Sequence, residues 1–481
     1  MPPNILWICT DQQRADTLGC YGNAHVNTPQ LDRLAARGVR VEHCYCQSPV
    51  CTPSRASMLT GRYPRTTRCR QNGQALPARE VPVPRRLADA GYTCGLAGKL
   101  HLAPCHPDKD EGHPMREERI DDGYAVFHWS HDTDDVWPTN AYHTWLRRRG
   151  VAYERRPVEG STHVTTSVPA EHHQTTWCAE RTIDFIEAHE AAETPWLFSM
   201  NPFDPHHPFD PPPEYLERYL GRLEALPLPA HTPGEFDEKP VFQRLDHRGA
   251  YNTEGEFPFP EMDDRDHRLV RAAYWAMCDL IDAQVGRVLD ALDRTGQRDD
   301  TIVVFTSDHG EMLGDHGLYL KGPYFYDPAI RVPLIVHWPG HVEGGATVDA
   351  LTELGDLAPT LLDLAGVEPP PGMQARSFAP VLAGETSVHR ESVYCEYYDA
   401  MPWHEDPVRP LATMIRTESA KLVRMHGLGT GELYDLSADP AETTNRWDDP
   451  ALQDAQASLL ARLSDRMAET VDPRPERTAP W

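Results

Sequence analysis

Residues 4–41 read NILWICTDQQRADTLGCYGNAHVNTPQLDRLAARGVRV, and the order of patterns within them decides the fold class. Residues 5–9 form a short continuous apolar run, the mark of a strand buried on both faces, and polar Asp11, Gln12 and Gln13 follow at once. Thr28 and Pro29 then open a helix, as cap and first-turn proline. Leu31, Leu34 and Ala35 give that helix its apolar face, and Gly38 closes it. Val39 and Val41 begin the next extended segment. Strand, loop, helix, strand is the grammar of an α/β sheet.

The same grammar returns downstream. Over residues 268–293, Ala272, Ala276, Leu280, Val288 and Leu292 fall near helical spacing, Gly296 ends the helix, and residues 301–305 (TIVVF) make a buried strand running into Ser307, Asp308, His309 and Gly310. Residues 195–200 (PWLFSM) read as another strand, ending in the loop that carries His206. Sites in open α/β sheets lie beyond the carboxyl ends of the strands, so these loaded strand ends predict one shared site. Residues 369–380, rich in proline and glycine, suggest a boundary between a catalytic domain over 1–375 and a smaller α+β unit over 376–481. The latter reads as strands at 392–398, 411–416, 421–425 and 432–436, with an amphipathic helix at 451–467.

Bulk composition excludes several classes. A chain of 481 residues with 46 basic and 73 acidic side chains carries a net charge of −27, which opposes binding to nucleic acid and to anionic membranes. Any anion must therefore be held by a local basic pocket. No apolar run approaches the length of a membrane span, and the first residues have neither a basic region nor a cleavage site, so a cytoplasmic protein is expected. Eleven scattered cysteines fit a reducing compartment. A homo-oligomer is compatible with this composition, which specifies no state.

Residues 48–64, SPVCTPSRASMLTGRYP, carry the chemistry. Thr52 as cap and Pro53 in the first turn predict a helix running through Arg55 to Leu59. Cys51 then sits at its positive end with Arg55 one turn away, a setting for an anion or a reactive sulfur. Taken singly, Cys51 would be read as an inert buried thiol, or, with Cys44 and Cys46, as part of a thiolate metal cluster that lacks a second cysteine pair.

Cys51-Thr52-Pro53-Ser54-Arg55 followed by Leu59-Thr60-Gly61-Arg62 resembles the C-x-P-S-R signature of the formylglycine-dependent sulfatases, in the alkaline phosphatase superfamily. Similar matches run along the chain: Asp11-Gln12 and Asp308-His309 to the two metal-ligand pairs, Gly98-Lys99-Leu100-His101 to G-K-x-H, Pro205-His206-His207-Pro208 to P-H-x-P, and Lys321 to the last substrate lysine. Glu432 to Leu436 with Asp439-Pro440, Glu442 and Asn445 resembles the hallmark of the C-terminal part.

The resemblance implies an alkaline-phosphatase-like fold, a large mixed sheet flanked by helices with a smaller C-terminal α+β domain. It implies hydrolysis of aryl or carbohydrate sulfate esters by a formylglycine made from Cys51 by a formylglycine-generating enzyme. The divalent metal would be held by Asp11, Gln12, residue 51, Asp308 and His309. Arg55, Lys99 and Lys321 would spread positive charge around the transferring group, His206 or Lys321 would protonate the leaving oxygen, and His101 would act on the aldehyde hydrate. His207 rivals His206 for its place.

The sequence departs from the commoner Asp-Asp and Asp-Asn pairs, since Gln12 and His309 replace a carboxylate and an amide. Calcium is the metal the resemblance implies, and an imidazole ligand also admits manganese or zinc. The same pairs resemble those of phosphonate monoester and phosphodiester hydrolases, the alternative activity. A binding protein with an unoxidised Cys51 is the non-enzymatic alternative, against which the full set of site residues argues. Trp129, Trp137 and Trp145 are read equally as contacts for an aryl or sugar group and as loop packing, and His106, His128, His131 and His316 as surface or supporting residues.

Overall fold

The structure, a computed structural model, describes residues 2–105, 115–134, 136–401 and 409–474, so His106 lies outside the described residues. Its main sheet contains β1 (Asn4–Thr10), β2 (Val39–Val41), β3 (Thr93–Gly98), β4 (Val126–Trp129), β5 (Trp196–Asn201), β6 (Thr301–Ser307), β7 (Leu334–His337) and β8 (Ala346–Val348). They lie in the order β8-β2-β7-β6-β1-β5-β3-β4. Among these strands β7 runs antiparallel to both neighbours, and the other pairings are parallel. The sheet is therefore mixed, as expected.

Central β1 shows why its sequence is continuously apolar. Ile5, Trp7 and Cys9 enter one core while Leu6 and Ile8 enter the other, and all five are fully buried. Four helices matter for the site and its support: α1 (Pro29–Arg37), α2 (Cys51–Thr60), α3 (Gln174–Ala188) and α4 (Asp264–Arg294). The longest, α4, starts at an Asp263/Asp266 capping box and packs along both α1 and α3.

Two expected helix starts differ in detail. Thr28 does not cap α1; its hydroxyl accepts from Gly19 N instead. The cap comes from α4, where Asp282 accepts from the amides of Gln30 (2.9 Å) and Leu31 (2.8 Å). A carboxylate supplied across a helix packing is invisible to a local reading. Thr52 likewise does not cap α2, which begins at Cys51 after extended Val50; the Thr52 amide donates to Asn72. Gly38 ends α1 at a negative φ, and its role is close approach, because a Cβ there would lie 2.4 Å from Val336 O.

Burial pushes the Asp282 carboxyl up to about 7, although two amides donate to it. A carboxyl raised in the fold binds its proton more tightly there than in the unfolded chain. Its contribution to stability is thus fully present below the ordinary value of 3.8 and is lost as pH rises through about 7. Asp282→Asn keeps a neutral acceptor for both amides. The variant should match wild type near pH 4 and exceed it by about 2 kcal/mol at pH 8, measured by denaturant titration across that range.

The C-terminal part is a four-stranded antiparallel sheet of β9 (Val393–Tyr398), β10 (Leu411–Arg416), β11 (Ala420–Met425) and β12 (Gly431–Asp435), in that order, covered by α5 (Gln453–Glu469). Leu459 and Leu463 of α5 pack on Ile415, Leu422 and Leu433. From β11, fully buried Lys421 reaches back to the loop after Lys321, meeting Asp327 Oδ1 (2.8 Å), Phe325 O (2.9 Å) and Glu442 Oε1 (2.7 Å). Among the described residues no helix is long and apolar enough to cross a membrane.

Candidate active site

The parallel strands end on one edge, and each end delivers a polar residue there: Asp11 after β1, Lys99 after β3, Asn201 closing β5 and Asp308 after β6. Gly98 allows the approach of β3 to β5. It has φ +111, and a Cβ would meet Asn201 O at 1.9 Å. Lys99 N donates to Asn201 O and Asn201 Nδ2 donates back to Lys99 O, both at 2.9 Å, so the lysine leaves the sheet in a fixed direction.

Cys51, the first residue of the wholly buried α2, lies opposite these strand ends. Its Sγ is 3.1 Å from His309 Nε2, 3.2 Å from Lys321 Nζ, 3.7 Å from Asp11 Oδ1 and 3.8 Å from Lys99 Nζ. Burial and Asp11 oppose a thiolate, yet Lys321, Lys99 and His309 bring the thiol below its ordinary value. Among the described residues one donor group suits a metal: Asp11, Cys51, Asp308 and His309 place ligand atoms within 4.8 Å of one another, all buried. Cys44 and Cys46 take no part in it.

The donor chemistry fits a divalent cation. His309 Nδ1 donates to Gly310 O at 2.8 Å, which leaves Nε2 facing the cluster. Asp308 Oδ1 accepts from the amides of Gln12 (3.0 Å) and His309 (2.9 Å), so the carboxylate is held from behind. Burial opposes protonation of His309, but Asp308 and Cys51 outweigh it and lift its pKa to about 9. Two side-chain cations pair with the carboxylates. Lys99 Nζ sits 2.6 Å from Asp11 Oδ2, and Arg55 spans Asp308 Oδ2 (2.8 Å) and Asp11 Oδ2 (3.4 Å) while donating to Lys99 O. Arg55 is thus behind the carboxylates, ordering them.

The remaining expected residues assemble around the same sulfur. Lys321 donates to Gln12 Oε1 (2.6 Å), His206 Nε2 (2.9 Å) and Cys51 Sγ. Of the rival histidines, His206 reaches Lys321. His207 stacks on it at 4.1 Å and places Nδ1 3.4 Å from Gln12 Nε2. Among the described residues His101 Nδ1 has no hydrogen-bond partner, and the ring packs edge-on against His131 at 4.6 Å. Burial, then the nearby lysines, push His101, His206 and His207 well below 6.5, so these rings are neutral acceptors or donors at ordinary pH.

Several contributors escaped the sequence reading. His131, expected at the surface or in support, stands beside His101 at the site. Glu117 pins that wall by accepting from His101 N (2.9 Å), Ala103 N (3.1 Å) and Trp129 Nε1 (3.0 Å). Glu311 accepts from Leu313 N, Leu320 N and Gln12 Nε2. No motif of chemistry flagged them, although Glu311 lies only three residues past Asp308. Trp129, Trp137 and Trp145 are buried: Trp129, closing β4, stacks on Trp137, and Trp145 packs on Tyr142 in the core that holds Leu6 and Ile8. His316 bonds Glu235 and stacks on Tyr326, away from the sulfur, and His128 is half-buried on β4.

Comparisons with known proteins place the chain in a family. The family described as "Sulfatase" matches residues 3–367, and "N-sulphoglucosamine sulphohydrolase, C-terminal" matches residues 314–469. The uncharacterized sulfatase YidJ of Escherichia coli (strain K12) is 31% identical over 98% of this chain and 88% of its own. An arylsulfatase of Clostridium perfringens is 29% identical over 92% of this chain and 90% of its own. In three dimensions the phosphonate monoester hydrolase of Silicibacter pomeroyi superposes with a TM-score of 0.85 at 28% identity, covering 98% of this chain and 96% of that one. With family match, relatives and the geometry around Cys51 in accord, the chain belongs to the sulfatase family of the alkaline phosphatase superfamily.

Proposed function

We propose that this protein hydrolyses sulfuric esters of aryl or carbohydrate alcohols, using a formylglycine made from Cys51 and a divalent metal. The observation that carries the reading is the position of Cys51 Sγ, shared by the metal-type donors Asp11 and His309 and by the ammonium groups of Lys99 and Lys321. Formylglycine when present supplies, as its hydrate, an oxygen nucleophile, and the metal polarises the reacting oxygens.

The chain's own residues do the rest. Lys99 and Lys321 place positive charge where the sulfuryl oxygens gain negative charge. Lys321, bonded to His206 Nε2, passes a proton toward the leaving oxygen, so the alcohol departs neutral. His101, neutral and with no Nδ1 partner among the described residues, accepts the proton shed at residue 51. Water is consumed and alcohol and sulfate are released.

Asp11, Asp308, His309, Gln12 and residue 51 would hold the metal. The imidazole donor favours manganese or zinc over the calcium of an all-oxygen shell. Removing the metal with a chelator should lower turnover by roughly 10²-fold or more, and manganese should restore it better than calcium, as read from initial rates after dialysis.

A second reading, phosphonate monoester or phosphodiester hydrolysis, is favoured by the likeness to the phosphonate monoester hydrolase fold together with the Asp11-Gln12 and Asp308-His309 pairs. Comparison of kcat/KM for 4-nitrophenyl sulfate and an aryl phosphonate decides between them. A larger value for the sulfate supports the first reading, and a much larger value for the phosphonate replaces it with the second.

A further inference from the structure

We propose that Glu311 is a positioning residue that fixes the direction of the Lys321 ammonium through the side-chain amide of Gln12. The proposal rests on the reading of Cys51 as the reacting position.

Glu311 is fully buried beneath the loop that leads to Lys321. Its Oε1 accepts from Leu313 N (2.9 Å) and Leu320 N (2.6 Å), and its Oε2 accepts from Gln12 Nε2. Both leucines have left-handed backbones, at φ 50 and φ 62, so the carboxylate ties together the two turns that bracket the loop. A carboxylate oxygen only accepts, which forces the amide nitrogen of Gln12 toward Glu311 and its oxygen toward Lys321 Nζ, 2.6 Å away. His207 Nδ1, on the nitrogen side of the same amide, agrees with this orientation.

With Gln12 Oε1 taking one ammonium proton, the other two are directed at His206 Nε2 and at Cys51 Sγ. Lys321 thereby addresses the leaving-group side and the nucleophile together. The oxygen so presented is also the atom Gln12 would offer a bound cation, so a flipped amide would harm both interactions.

The polarity can be tested because it can be reversed. In Glu311→Gln, Oε1 must still serve the two leucine amides, so Nε2 faces Gln12. Gln12 must then either oppose it donor to donor or turn its own nitrogen toward the ammonium. Gln12→Glu alone sets two carboxylates against each other. The double variant Gln12→Glu/Glu311→Gln restores the donor and acceptor order from residue 311 through residue 12 to Lys321 and conserves the net charge, with His207 Nδ1 facing an oxygen in place of the amide nitrogen.

We would measure kcat, KM and thermal melting for all four proteins with 4-nitrophenyl sulfate. Each single variant should lose about 10- to 100-fold in kcat with KM little changed and should melt lower. The double variant should recover most of both losses. Wild-type kcat in Glu311→Gln, or a double variant no better than the worse single, would overturn the proposal. If wild type turned over no ester, the functional reading would fail by itself. The melting temperatures would still decide the tether, because recovery in the double variant supports it and lack of recovery overturns it.

Discussion

Cys51→Ala should abolish ester hydrolysis, with kcat/KM falling by about 10⁴-fold or more, while the protein still folds. One atom position is shared by the groups around it: His309 at 3.1 Å, Lys321 at 3.2 Å, Asp11 at 3.7 Å and Lys99 at 3.8 Å all address Sγ. Without a functional group there, no nucleophile remains for the flanking charges to serve. The fold survives because the sulfur is not what holds its neighbours. Lys321 keeps Gln12 and His206, Lys99 keeps Asp11, and His309 keeps Gly310 O. Melting within a few degrees of wild type, together with lost turnover, is the expected pair of results. Unfolding would instead make the activity loss uninformative about chemistry.

The largest loss of stability is expected at Lys421→Met, at the junction between the C-terminal sheet and the catalytic core. Its ammonium is fully buried between Asp327, Glu442 and Phe325 O. Burial opposes ionisation of Asp327, but Lys421 and then Arg416 hold it well below the ordinary carboxylate range. Burial raises Glu442. Methionine preserves most of the stem's packing and removes the charge, leaving, among the described residues, buried Glu442 without its cation and Asp327 paired with Arg331 alone, at 3.7 Å. Such a loss costs about 3–5 kcal/mol, far more than the pair itself contributes over an apolar replacement. Denaturant titration at neutral pH checks it. Because Asp327 lies six residues beyond Lys321, the variant should also lower turnover, a coupling that a purely peripheral C-terminal unit would not show.

How much of this was legible in the sequence depends on the range of the interaction. The apolar run of β1 could be read because a strand covered on both faces has no alternation to hide it, and α4 could be read from its spacing over many turns. Asp11, Asp308 and His309 were legible as strand ends because parallel strands must deliver their exits to one edge, whereas Lys99 was found only by its resemblance to G-K-x-H. Cap donors were misread where the partner comes from another element: Asp282 of α4 rather than Thr28 caps α1. Arg55, expected to add positive charge around the transferring group, clamps the two aspartates, partners the motif does not specify because which way a buried guanidinium points is set by tertiary neighbours. Glu311 and Glu117 stayed hidden because a carboxylate that satisfies backbone amides from inside a loop looks, in sequence, like any other acidic loop residue.

The proposed function requires residue 51 to work as an aldehyde rather than as a thiol. Mass analysis of the proteolytic peptide containing Cys51, from protein co-produced with a formylglycine-generating enzyme and shown to be active, tests it most directly. The account predicts a peptide lighter by one sulfur and two hydrogens and heavier by one oxygen, in proportion to specific activity. An active protein whose peptide carries only unmodified cysteine would contradict it.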